Sequence, residues 1–336
     1  MRIRMKVFCA VMLLVLLFTG CSVASRDRFL NGNGKYMSEH RETKFAKVHV
    51  KFSESESELT DDEISTSRVP AAPTVWYKSS RLIYHACGAV DGLNYTNSRE
   101  ALEETLSAGH RLVEVDFRFT LDEHLVCVHE WYDLKGIKDC CYLDVFLGTK
   151  IMGEYTPMTA EDIVQYMIQY PDLYIIVDTK EYGIAGVVAE LINLCGYDSS
   201  VAERFIIQCY TRGDKAKITD VYPFPEENFL FSVYKFGSNR VDSILQICQD
   251  EGISVVAVHN GRWSEETMAR FLDAGCIVFE HTVNEVSLVE TSLKKGVYGF
   301  YTDSLQQDEI PKAYLSKEFL QKVLNMDTTG SYEEES

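Results

Sequence analysis

The chain has 336 residues, 46% of them hydrophobic, and a formal net charge of −18. That length supplies one large domain or two small ones, with enough apolar residues for a real core. The charge excludes a nucleic-acid binder, since no basic patch interrupts it, and it disfavours non-specific adhesion to anionic lipid.

The N-terminus predicts export. "MRIRMK" is basic, and "VFCAVMLLVLLFTG" is an apolar run shorter than the roughly 20 residues of a spanning helix. The run ends in "LLFTGCS", which resembles the bacterial lipoprotein signal, although Phe18 departs from the usual pattern. Residues 1–21 are thus read as a signal peptide whose cleavage leaves a lipid-bearing Cys21. The resemblance implies an exported lipoprotein, anchored to membrane at the cell surface or in the periplasm. The alternatives are an uncleaved anchor and a plain secretory signal. Residues 22–69 are polar without a sustained period, and "SESESELTDDE" (53–63) marks them as a disordered acidic tether. The folded domain is expected over 70–325, and residues 326–336 form an acidic tail.

Between tether and tail the apolar period switches repeatedly. "RLIYH" (81–85) reads as a strand. "SREALEETLSAG" (98–109) reads as a helix capped at Asn97 or Ser98 and stopped at Gly109. "RLVEVDF" (111–117) is a strand, and "LVCVHE" (125–130) a strand-like return. A helix over 159–170 follows, with Thr159 as cap. Then come a strand (173–180), a helix (183–195), and strands over 204–210 and 228–235, with 211–222 left as their connection. A helix (240–252), a strand (254–260), a helix (264–275), a strand (277–284), a helix (285–296) and a strand (298–304) complete the chain. Strands and helices alternate, and several strands are nearly all apolar, as in a buried parallel sheet. About eight βα units predict an α/β fold, a (β/α)8 TIM barrel. The alternative, an open doubly wound sheet, lacks its commonest nucleotide fingerprint, because no GxGxxG follows any strand.

Eight of the ten cysteines follow residue 86, and Cys195, Cys209, Cys248 and Cys276 sit inside apolar runs. They read as small buried hydrophobes, not a disulfide framework. Only the adjacent Cys140 and Cys141 look loop-borne. No CxxC occurs, so zinc has no support.

In a (β/α)8 barrel the chemistry sits at the C-terminal ends of the strands. Those ends carry His85, then Glu114 and Asp116 with His129 on the return. Next come Asp178 with Lys180, His281 with Thr282 and Asn284, and Thr302 with Asp303. Side chains alternate along a strand, so Glu114 and Asp116 share a face, as do Asp178 and Lys180. If Val113, Val115 and Phe117 face the outer helices, the carboxylates face the barrel axis. Three converging carboxylates repel one another, and an unpaired inward charge is costly. A divalent cation with oxygen ligands resolves this, and Ca²⁺ or Mg²⁺ is the natural choice. Two histidines beside a hard cation point to general acid–base work on a phosphate, with Lys180 and the cation holding the charge of the transition state. The bland readings are ion pairs: Glu114 and Asp116 with Arg111 or Arg118, and Asp178 with Lys180. His110 and His124 are read as surface residues, and His40 and His49 as part of the tether.

The stretch "IYHACGAVDGLNYTNSREALEETLSAGHRLVEVDFRFTLDEHLVCVHEW" resembles the opening of the glycerophosphodiester phosphodiesterase family, which shares its barrel with phosphatidylinositol-specific phospholipases C. The family pattern falls on His85, Gly88, Asn97, Glu114, Asp116, Thr120, Asp122 and His129. "YIIVDTK" resembles the family's acidic-x-Lys strand, and "HTVNEV" and "GVYGFYTDS" its closing strands, so the likeness covers about 81–304. It implies metal-dependent cleavage of glycerophosphodiesters to an alcohol and glycerol 3-phosphate. Glu114, Asp116 and Asp178 would be metal ligands, His85 and His129 the acid and base, and Lys180 a phosphate contact. Asn97, Arg118 and His281 are the expected substrate contacts. There are departures: Ala86 stands where the family has Arg, Asp178 where it has Glu, Glu130 where it has Asp, and His281 where an aromatic is common. Arg118 is the candidate to replace the missing arginine. The insertion after His129, which helps bind glycerol in the family, is short, which loosens the expectation of glycerol specificity.

The expected partner is therefore a small phosphodiester, or a glycerophosphate-containing polymer or lipid. Two other readings compete: a phospholipase C- or D-type enzyme acting on lipid or inositol headgroups, and a non-catalytic surface binding lipoprotein. An exposed apolar rim at the barrel mouth would favour the phospholipase, and "FLGTKIMGEY" (146–155) is the one candidate rim in the sequence.

Overall fold

A computed structural model of the chain describes residues 75–180, 183–316, 319, 320 and 323. The signal segment with Cys21, the 22–69 tether and the 326–336 tail lie outside these residues.

Eight parallel strands form a closed barrel: β1 (Leu82–Tyr84), β2 (Leu112–Phe119), β5 (Tyr174–Thr179), β6 (Phe205–Cys209), β7 (Phe229–Ser232), β8 (Val255–His259), β9 (Ile277–His281) and β10 (Gly299–Thr302). β1 pairs with both β2 and β10, which closes the sheet. β3 (Leu125–Cys127) and β4 (Met158–Thr159) run antiparallel beside the upper part of β2 as a side ribbon. The helices are α1 (Trp76–Ser79), α2 (Arg99–Ser107), α3 (Leu143–Gly148), α4 (Ala160–Gln169), α5 (Ile184–Leu194), α6 (Ser199–Ala202), α7 (Asp214–Thr219), α8 (Val241–Glu251), α9 (Glu265–Asp273) and α10 (Val286–Lys294). This is the expected (β/α)8 barrel.

The local signals act as their chemistry requires. The Ser98 hydroxyl accepts the Ala101 N–H and starts α2, and Gly109 leaves it at φ +88°. Thr159 and Asp162 form a reciprocal capping box on α4. Ser264 caps α9. The strands read two ways, because both of their faces are buried. Val113, Val115, Phe117, Ile175 and Val177 pack outward in the layer between strands and helices. Leu112, Ile176, Ile206, Leu230 and Phe279 pack inward along the barrel axis. Glu114 and Asp116 share the parity of Leu112, so they too point inward, above this apolar floor.

The structure departs from the sequence reading in four places. The connection over 211–222 contains α7, held at its start by the Asp214 carboxylate accepting the N–H groups of Tyr210 and Thr211; six residues are too few to show a period. β3 stops at Cys127 and β9 at His281, so His129 and Asn284 lie on loops. His110 is half-buried and not free in solvent: it stacks on Tyr84 at 4.1 Å and meets its hydroxyl at 2.6 Å. Within the candidate rim, Phe146 and Ile151 are fully buried, and only Leu147 and Met152 are exposed large hydrophobics. Among the described residues, Cys87, Cys127, Cys141, Cys195, Cys209, Cys248 and Cys276 are free thiols.

Gly88 places the loop that follows His85. It sits at φ +91°, and a β-carbon there would lie 2.4 Å from the Thr105 hydroxyl oxygen, which donates to the Cys87 carbonyl. Gly88→Ala is expected to destabilise the fold by about 1–3 kcal/mol through strain and overpacking. A melt matching the wild type would show that this loop relaxes freely.

Candidate active site

Parallel pairing of β2 with β5 sets Asp116 beside Asp178, one residue pair above Val115 and Val177. Glu114, Asp116 and Asp178 are all buried, and one oxygen from each lies within 4.8 Å of the others. Each is gripped from behind. The Glu114 Oε2 accepts the Ala86 N–H at 2.7 Å. Asn97 donates to Asp116 Oδ2 at 2.8 Å and accepts the Asp116 N–H at 3.0 Å. The Tyr210 hydroxyl donates to Asp178 Oδ1, and is itself fixed by Gln208, whose amide oxygen accepts from the Tyr301 hydroxyl at 2.9 Å. Lys180 Nζ lies 2.8 Å from Asp178 and 3.0 Å from Asp116.

One ammonium faces three carboxylates, and the strain falls on Glu114. Burial, then the adjacent Asp116 charge, raises its pKa to about 8. Burial works in the same direction on Asp116, but the Lys180 charge and the two histidines outweigh it and hold that carboxyl low. Lys180 is desolvated, yet Asp116, Asp178 and Glu114 raise its pKa above the ordinary value. The Glu114 Oε1 is buried and has no hydrogen-bond partner. An orphaned carboxylate oxygen facing two further carboxylates is a donor set that fits a hard divalent cation.

The bland ion pairs of the sequence reading are only half present. Arg111 pairs with Asp172 at 3.2 Å and Arg118 with Glu130 at 2.9 Å, so neither reaches Glu114 or Asp116. The Asp178–Lys180 bridge does form, but Lys180 shares itself with Asp116.

His85 follows β1 directly, and its Nδ1 lies 2.9 Å from the Asp303 carboxylate. Asn284 holds Asp303 in turn, donating to Oδ2 at 2.5 Å and accepting the Asp303 N–H at 2.8 Å. Burial would lower the His85 pKa, but the Asp303 hydrogen bond and the charges of Glu114, Asp116 and Asp303 outweigh it and raise it to about 9. Tyr95 stands between the two histidines, 4.5 Å from the His85 ring and 4.8 Å from the His129 ring.

The three expected substrate contacts are placed differently from one another. Asn97 is fully buried behind Asp116, with both ends of its amide engaged there. Arg118 donates to the His129 carbonyl at 2.8 Å and pairs with Glu130, so it holds the segment that carries His129. His281 lies 5.3 Å from the His259 ring and 5.8 Å from the Tyr301 ring. Burial and the positive charge around it lower its pKa to about 3, so it is neutral at physiological pH.

Asp303, Tyr210 and Tyr95 are site residues that the sequence reading did not assign. Asp303 was visible at a strand end without a role. Tyr210 ends the predicted strand 204–210, the one usable signal. Tyr95 carried none.

No protein-family model matches the chain, and no curated protein sequence does. Solved structures do resemble it. A phosphodiesterase from Oleispira antarctica in complex with the product sn-glycerol-3-phosphate superposes with a TM-score of 0.58 at 14% identity, over 72% of this chain and 99% of that one. A glycerophosphodiester phosphodiesterase from Parabacteroides distasonis gives 0.54 at 17% identity, over 71% and 98%. One from Agrobacterium tumefaciens gives 0.51 at 12% identity, over 69% and 98%. At such identities the likeness is one of fold.

Proposed function

We propose that this chain is a phosphoric diester hydrolase of the glycerophosphodiester phosphodiesterase family. It cleaves a glycerophosphodiester to an alcohol and glycerol 3-phosphate with the help of a divalent cation. The observation that carries the reading is the buried cage of Glu114, Asp116 and Asp178, bridged by Lys180 and accompanied by His85 and His129. The shared fold, and the glycerol 3-phosphate in the Oleispira structure, support the substrate class.

The three carboxylates hold the cation, Ca²⁺ or Mg²⁺. When bound, it supplies positive charge to a phosphate oxygen. Lys180, tied to two of the carboxylates, offers its ammonium to the charge that builds on the phosphate in the transition state. Asp303 occupies the His85 Nδ1, which leaves Nε2 as the nitrogen that exchanges a proton with a reacting oxygen. In the reaction a water oxygen bonds to phosphorus and the phosphorus–oxygen bond to the alcohol breaks. One imidazole takes the proton of the water and the other gives a proton to the departing alcohol, and solvent then restores both. Asn97 and Tyr210 position Asp116 and Asp178, and Arg118 positions the His129 segment.

The charge of Glu114 gives a pH dependence. In the cation-free protein it carries a proton up to about pH 8, and a cation must displace that proton. Apparent cation affinity should therefore rise with pH and fall by up to about tenfold per unit below pH 8. Calorimetric titrations at three pH values check this, and an affinity flat from pH 6 to 8.5 would mean that Glu114 is already ionised in the cation-free protein.

The decisive assay uses a panel of glycerophosphocholine, glycerophosphoethanolamine, glycerophosphoinositol, glycerophosphoglycerol, lysophospholipid and phosphatidylinositol. Each is run with chelator and then with Ca²⁺ or Mg²⁺ restored. Cation-dependent release of glycerol 3-phosphate is the expected result. Release of a phosphorylated headgroup or a cyclic phosphate would move the protein to the phospholipase reading. No turnover together with no cation binding would leave a binding protein.

Export and lipid attachment at Cys21 belong to the same proposal. Their support is the sequence pattern at residues 1–21. The expected result is that Cys21→Ser shifts the protein from the membrane fraction to the soluble one; an unchanged distribution would count against lipidation.

A further inference from the structure

Large hydrophobic side chains exposed to solvent are unevenly distributed over the described residues. Thirteen are exposed, and eleven belong to segments leaving the C-terminal ends of barrel strands, the end that carries the candidate site. Two, Leu93 and Tyr95, follow β1. Six lie between β2 and β4, among them Tyr132, Tyr142, Leu147 and Met152. One follows β7 and two begin α10. Only Ile168 and Tyr197 lie toward the opposite end, beyond or near the C-termini of α4 and α5. Singly exposed apolar residues need no explanation, but their gathering at one end does.

The segments that carry them are fastened to one another. The Tyr155 hydroxyl donates to Asp91 at 3.1 Å, the Leu121 N–H to the Cys141 carbonyl at 2.9 Å, and the Leu143 N–H to Asp122 at 3.0 Å. The surface is continuous with the candidate site, because Tyr95 touches both His85 and His129.

We infer that this apolar mouth is a docking surface for a zwitterionic lipid–water interface. The charges choose the lipid. Exposed on residues 91–95 and 121–154 are six acidic side chains and three lysines, a local excess of acid within a chain of net charge −18. That balance repels anionic headgroups and suits ammonium-bearing ones. The anchor proposed at Cys21 makes such docking sterically feasible. Residues 22–74 separate it from the described domain, a length that spans at most about 180 Å. A domain of this size has a radius of gyration of about 18 Å. The mouth can therefore turn to the membrane although the described chain enters at the other end of β1.

The inference is tested without turnover, so its failure and that of the proposed activity are separate results. The protein is the exported chain from residue 21 with Cys21→Ser, so neither the apolar run nor a lipid contributes. It is sedimented with phosphatidylcholine–phosphatidylethanolamine vesicles, and with vesicles containing phosphatidylglycerol. The expected result is binding to the first, weakened by the anionic lipid. Tyr132→Ser/Leu147→Ser should lose at least tenfold in partitioning with an unchanged thermal melt. Ile168→Ser/Tyr197→Ser, at the opposite end, should bind as wild type. No binding by wild type, full binding by the mouth variant, or equal loss in the control variant would each overturn the inference. A concentration-dependent dimer abolished by the mouth variant would assign the surface to a second copy of the chain and overturn it as well.

Discussion

His85→Ala is expected to lower turnover by about 10²–10⁴, the worth of one general acid–base group, and His129→Ala to do the same. Neither change should unfold the protein. His85 is not part of either apolar core, and removing it leaves Asp303 still held by the Asn284 amide and backbone. The thermal melt should therefore stay close to wild type while activity falls. The double variant should be little worse than the weaker single one, because acid and base act on the same reaction as a unit. Asp303→Asn separates orientation from proton transfer. It keeps the shape beside the His85 Nδ1 but removes the charge that raises the His85 pKa, so the pH–rate profile should move as well as the rate. Near wild-type turnover in His85→Ala or His129→Ala would take that residue out of the mechanism.

Asp178→Asn is the second large effect expected. The substitution keeps an oxygen that accepts from Tyr210, so the hydrogen-bonded chain through Gln208 to Tyr301 has no reason to collapse. It removes one of three charges that would bind the cation. Removing a group that merely supports a ligand typically costs about 10–100-fold in metal affinity, so removing a ligand charge should cost at least that. Lys180 would then pair with Asp116 alone, which further competes with the cation. Calorimetric titration with Ca²⁺ and Mg²⁺ reads the change directly. Unchanged affinity would mean that Glu114 and Asp116 suffice and that Asp178 serves only Lys180 and Tyr210.

The two experiments probe different parts of one arrangement. Residues from β1, β2 and β5 supply the charged groups, and residues from β6 and β10 hold them. This division explains why side chains as distant in sequence as His85 and Asp303 act together. Arg118, expected at the substrate, also donates to the His129 carbonyl and to Glu130, and so ties down the segment bearing His129. The methyl group of Ala86 offers no charge to an anion, and Arg118 is engaged with Glu130 and the His129 carbonyl.

The alternation in "RLVEVDFRF" by itself determined that Glu114 and Asp116 share one face and Val113, Val115 and Phe117 the other, because a strand repeats every two residues. The switching between that period and the helical one determined the barrel, and the caps read at Asn97 or Ser98 and at Thr159 two of its helix starts. Periodicity fixes a face but not a neighbour. Which carboxylates stand together depends on the register that sets Asp116 beside Asp178, and register is a property of closed pairing between strands far apart in the chain. The same holds for the Tyr210 hydroxyl on Asp178, for Asp303 on His85, and for Asn97 turned to Asp116. The apolar mouth was legible only in the stretch 146–155. Its residues come from separate loops with no common period, and only folding shows which of them, such as Phe146 and Ile151, are buried and which, such as Tyr132 and Leu147, stay in water.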